Sequence, residues 1–133
     1  MISWIKIYLI ALSIFLIIDF LWLGLVAKNF YSRHLGEKMK EEVNPVPAIV
    51  FYLLFVAGLV FFVTMPAIES IRWQEAFFPA IFFGLVSYAT YDLTNFATLK
   101  EWPFKVVVID LIWGSLLTGV VSLLTYLLYL SLL

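Results

Sequence analysis

The chain has 133 residues, of which 65% are hydrophobic and only 13% charged, and its mean hydropathy is +1.08. A soluble core of that length cannot hide so much apolar surface, so the solvent around most of it is lipid. The net charge of −1 argues against nucleic acid as a partner, and the lack of cysteine excludes disulfides, thiolate metal sites and a cysteine nucleophile.

The first apolar span is expected at about residues 4–26. Lys6 can snorkel to the near interface and Trp4 can sit in the aromatic belt. A cleaved signal peptide would end in small residues, and Leu25-Val26-Ala27 fits that poorly. The span is therefore read as a retained transmembrane helix. Residues 27–46 are the most polar part of the chain, with Tyr31, Leu35 and Met39 at the spacing of a short surface helix. The lone histidine, His34, lies in this loop and reads as a surface residue rather than a base or ligand.

Asn44 is placed to cap the second helix, and a proline suits its first turn. That span, residues 47–65, carries no charge and is expected to close at Pro66. The third span, residues 75–97, turns polar in its second half with Ser87, Tyr88, Thr90, Tyr91, Asp92, Thr94 and Asn95. A tight turn with Trp102 leads to the fourth span, residues 103–131. Each span is long enough to cross about 30 Å of hydrocarbon. No alternating strand pattern of a closed barrel is present. The expected fold is an all-α membrane protein, a single domain of four transmembrane helices in an antiparallel bundle.

Lys28, Arg33, Lys38, Lys40, Lys100 and Lys105 fall on one side of such a bundle, and Lys6 and Arg72 on the other. The asymmetry puts residues 27–46 in the cytoplasm and both termini outside it. Because the chain has no native cysteine, a single Lys38→Cys variant tests this cleanly. A membrane-impermeant thiol reagent should leave it unlabelled in intact cells; efficient labelling reverses the orientation.

Three aspartates lie within the spans. Asp19 and Asp110 each begin an Asp-x-x-Trp pattern, with Trp22 and Trp113, and Asp110 is the sole charged side chain between residues 106 and 133. Asp19 is about 12 Å and Asp110 about 10 Å from the same bundle end, at 1.5 Å per helical residue. Asp92 lies near that end of the third helix. A carboxylate at membrane depth costs roughly 2.5–3.5 kcal/mol on insertion scales, so it needs a partner or a purpose. Tyr88, Asp92 and Asn95 share a helical face, with Tyr91 beside them. The expected ligand site is therefore Asp19, Trp22, Tyr88, Tyr91, Asp92, Asn95, Asp110 and Trp113. Gly24, Gly84 and Gly114 are expected at close helix crossings. The same acids would serve a structural role if they only bonded neighbouring Tyr, Asn or Trp groups. Asp92 would be simply solvated if it reached the headgroup layer. The repeated Asp-x-x-Trp pattern falls on helices of opposite sense, so it reads as a local coincidence of pattern or a local two-fold arrangement, and not as proof of duplication.

These motifs, with Phe30-Tyr31, Leu35-Gly36, Tyr91-Asp92-Leu93-Thr94-Asn95 and Trp102-Pro103, resemble a family of small bacterial integral membrane proteins catalogued only as a domain of unknown function. The resemblance covers nearly the whole chain and implies the bacterial inner membrane. It implies no activity, substrate or cofactor.

Three functions fit the residues. A cavity of acids and aromatics can bind or transport a small cationic or amphipathic ligand. With only four helices, a carrier would need a homodimer. Two carboxylates can instead act as acid and base in a membrane-embedded enzyme working on lipid head groups. A structural accessory subunit is the third. The first is favoured. No catalytic residue is assigned, no cofactor is evident, and no metal-ligand array has a clear spacing. One histidine outside the spans argues against haem. The expected partners are membrane lipids and a second copy of the chain.

Overall fold

The computed structural model describes residues 2–26 and 44–133. The surface helix expected within residues 27–46, and His34 with it, lie outside the described residues except at the loop's last three positions. Four helices long and apolar enough to cross a membrane make up the described chain, and no strand occurs among its residues. The protein is a multi-pass membrane protein of the expected class.

Helix α1 (Trp4–Leu21) starts at Ser3, whose hydroxyl accepts from the Lys6 amide at 3.3 Å. It ends in one turn of π-helix, Trp22–Val26. Helix α2 (Pro45–Ser70) opens as its sequence dictates. Asn44 Oδ1 accepts from the Val46 amide at 3.1 Å, and Pro45 occupies the first turn, where no backbone donor is lost.

The far end of α2 differs from expectation, because Pro66 does not close it. An interior proline lacks an N–H and strikes the carbonyl four residues back. A π-helical turn at Val60–Thr64 absorbs the mismatch, and Pro66 falls in the first turn of a fresh α segment, Met65–Ser70. The helix then ends at Ile71 in the left-handed region, φ 54°. Helix α3 (Trp73–Thr98) runs unbroken through Pro79, and helix α4 (Phe104–Ser131) follows a short turn.

The bundle is built around α4. Half of its most apolar window is buried, against 22–28% for the other three helices. The α3–α4 pair forms the most extensive interface, followed by α1 against α4. The α3–α4 seam places every fourth residue opposite its counterpart. Gly84 meets the Gly114 carbonyl and Thr118, and the Tyr88 ring fills the notch left by Gly114. Asp92 lies beside Asp110. Gly119 continues the tight crossing, since a Cβ there would come within 2.8 Å of Ile81. Among the described residues nothing lies within 4 Å of a Cβ at Gly24, so no crossing of described helices falls there, contrary to its expected role.

Hydroxyl groups on the inner face of α4 are satisfied within the bundle. Thr64 and Ser122 pair at 2.8 Å, while Thr118 and Thr125 donate to carbonyls of their own helix. The outer surface carries large apolar side chains such as Leu54, Phe62 and Phe82, each about two-thirds exposed. Such a surface is stable in lipid, where leaving it uncovered costs nothing.

Candidate functional site

One end of the bundle, where α1 and α3 finish and α2 and α4 begin, encloses a cavity of about 910 Å³. That lies within the range of small-molecule sites, about 300–1,000 Å³. Each helix contributes to its wall. From α1 come Asp19 and, through the π turn, Trp22. Such turns re-aim side chains and recur at functional sites. From α4 come Asp110 and Trp113, and from α3 Tyr88 and Tyr91. The first turns of α2 add Pro47, Phe51 and Tyr52.

The two Asp-x-x-Trp motifs meet inside this cavity. The indoles of Trp22 and Trp113 stack with centroids 4.3 Å apart and planes 12° from parallel. Trp113 Nε1 donates to Asp19 Oδ1 at a long 3.4 Å. The Tyr52 hydroxyl lies close enough to interact with Asp19 electrostatically. Through the Trp113 bond Asp19 ties α1 to α4, and it is buried, with 5% of its surface exposed. Tyr88 occupies the middle of the constellation. Its ring is seated against Gly114 and edge-on to Phe55, and Asp19, Tyr52, Asp92 and Asp110 all surround it electrostatically.

Six of the eight expected residues line this one cavity: Asp19, Trp22, Tyr88, Tyr91, Asp110 and Trp113. Asp92 and Asn95 do not. Asp92 faces the α3–α4 seam, four residues beyond Tyr88, and is fully buried rather than solvated at the headgroups. Asn95 is half-buried one turn beyond Tyr91 on the same helix. The remaining hydroxyls of α3 are satisfied locally: Ser87 and Thr90 donate to the carbonyls of Phe83 and Val86.

Sequence reasoning missed Tyr52 and Trp102. Tyr52 is the lone polar side chain between residues 45 and 59, and that isolation was the available signal. Trp102, placed in the turn by sequence, lines the cavity and packs edge-to-face with Tyr91 at 5.8 Å.

The cavity therefore offers two carboxylates set among indole and phenol rings. Aromatic faces attract cations, and a carboxylate in an apolar surround attracts them more strongly. Among the described residues, no three acidic or histidine side chains converge as a metal site would require.

Fold and site together define a small four-helix membrane protein with an acid-bearing aromatic cavity at one end. The chain belongs to the family described as "Predicted membrane protein (DUF2177)", whose model matches residues 4–127. Neither a curated protein nor a solved structure matches the chain.

Proposed function

We propose that the cavity binds a small cationic or amphipathic ligand, such as an amine or quaternary ammonium carried on an apolar body. The observation that carries this reading is Asp19. It is a buried carboxylate in a cavity wall that accepts from the neutral Trp113 N–H and lies near the Tyr52 hydroxyl, and it meets no basic side chain among the described residues. Among the described residues this carboxylate meets only neutral groups, and a site of that kind attracts a positive charge. A ligand cation supplies that charge, and Trp22 and Trp113 supply a face for it.

In this reading the protein sits in a bacterial inner membrane with the cavity at the cytoplasmic end and both termini outside. The cluster of lysines and arginine beside that end supports the orientation. Transport, as distinct from binding, calls for a second copy of the chain, because four helices offer few surfaces to rock against one another.

The test is a titration of the purified protein in lipid nanodiscs with benzyltrimethylammonium, followed by tryptophan fluorescence. Saturable binding is expected, with the uncharged isostere neopentylbenzene weaker by at least about tenfold, or about 1.4 kcal/mol. Equal responses to both compounds, or no saturation, would contradict the reading. Turnover of lipid head groups in the same nanodiscs would move the assignment to an enzyme.

A further inference from the structure

The cavity wall is incomplete between α2 and α3. The close backbone approach of these two helices is concentrated at Val60–Ser70, in the far half of α2. Nearer the cavity they touch through rings: Phe55 packs against Phe83 at 5.4 Å and edge-on to Tyr88 at 6.1 Å. Beyond Phe55 the helices part. Residues 44–51 are all exposed, so the first two turns of α2 present no buried face. Thr90 and Tyr91 on α3 are exposed as well. Yet these same stretches line the cavity, with Ala48 and Phe51 on one side and Thr90 and Tyr91 on the other. Among the described residues, the cavity therefore opens sideways through a slot edged by these four side chains, with Phe55 as its floor.

The slot faces lipid. Phe55 lies ten residues beyond Pro45, about 15 Å along the helix. The slot thus spans about half of the roughly 30 Å hydrocarbon layer, the depth of one leaflet. Such a gap does not stay empty, because wall atoms without neighbours forfeit dispersion energy. Water fills it poorly: Ala48 and Phe51 offer no partner, and the Thr90 hydroxyl already donates to the Val86 carbonyl. An acyl chain from the leaflet fits both the apolar edge and the depth.

We propose that the cavity takes its ligand from the surrounding leaflet: a lipid with an amine head group, its ammonium beside Asp19 and an acyl chain passing out between α2 and α3. This deepens the binding reading and rests on it, by naming the ligand as a lipid. Charge complementarity selects the head, because Asp19 is a buried carboxylate in the wall behind the slot. The slot selects the body. A soluble amine would meet Asp19 and leave the slot unfilled. A lipid without a cation would fill the slot and leave Asp19 without a counter-charge. An amine lipid does both, and a cavity of about 910 Å³, near the top of the small-molecule range, has room for its head group and the start of a chain.

The experiment is photocrosslinking from the slot. Phe51→p-benzoylphenylalanine places the photoprobe at its edge, and the same replacement at Phe82, on the outer surface, samples the bulk leaflet. Both proteins are irradiated in nanodiscs of equal phosphatidylethanolamine and phosphatidylglycerol, and the lipid adducts are weighed by mass spectrometry. The ratio of phosphatidylethanolamine to phosphatidylglycerol adducts should be at least about threefold higher at position 51 than at 82. Asp19→Asn, added to the position 51 protein, should return the ratio to that of position 82. Excess benzyltrimethylammonium should do the same, and it decides alone if Asp19→Asn fails to fold. Equal ratios at the two positions, no lipid adduct at position 51, or an enrichment that survives the competitor would overturn the lipid assignment. If benzyltrimethylammonium still binds saturably in any of these cases, the binding reading stands without it. Equal ratios together with no saturable binding remove both.

Discussion

Gly84→Leu should lower the thermal stability of the protein in detergent more than any other single glycine substitution. A Cβ at Gly84 would collide with the Gly114 carbonyl oxygen and with Thr118. The first obstacle is backbone and cannot rotate away. The second is already committed, since Thr118 Oγ1 donates to that same carbonyl at 2.6 Å. The helices must therefore separate. Overpacking typically costs about 1–3 kcal/mol, and this case should reach the upper end because nothing flexible can yield. Gly114→Leu strikes the root of the Tyr88 ring instead, a side chain of the site and not backbone, so its main effect should fall on the site. Gly24→Leu is the control, since no described residue lies within 4 Å of a Cβ there, and no change is expected. Equal unfolding temperatures for Gly84→Leu and Gly24→Leu would show that the α3–α4 seam is not as tight as described.

Asp19→Asn should weaken cation binding by about 10- to 100-fold, the equivalent of about 1.5–3 kcal/mol for an interaction with a charged group. The fold should survive. An asparagine keeps the volume and one oxygen, which can still accept from Trp113. Asp19→Leu is a different experiment. It strands the Trp113 N–H in an apolar interior, at about 1–3 kcal/mol of stability. Titration and thermal unfolding of both variants separate the roles. If Asp19→Asn binds like wild type while Asp19→Leu unfolds, the carboxylate is a structural tie and not a counter-ion.

The helices were legible because each is a long apolar run with a stop signal, and lipid leaves few alternatives to a helix. Pro66 misled as a stop because its effect depends on whether the preceding turn can widen, which composition does not encode. The depth of Asp19 and Asp110 followed from counting residues to the nearest loop. Their common cavity depends further on helix rotation, and the paired Asp-x-x-Trp pattern carried that information, since Trp22 and Trp113 stack face to face. Tyr52 left only a faint signal, its isolation as a polar group, because in an aromatic-rich span one phenol resembles any other packing ring. Asp92 and Tyr91 are neighbours in sequence, yet one is sealed in the seam and the other is 58% exposed at the cavity. Only the crossing with α4 separates them. The same crossing distinguishes Gly84 from Gly24, two glycines that sequence cannot rank.

The most direct measurement of the central claim is an experimental structure determined with benzyltrimethylammonium present. The quaternary nitrogen should lie in the cavity, beside the Asp19 carboxylate and within about 6 Å of the Trp22 or Trp113 ring. A lipid acyl chain filling the cavity, with Asp19 bonded only to Trp113 and the cation nowhere near it, would contradict the account.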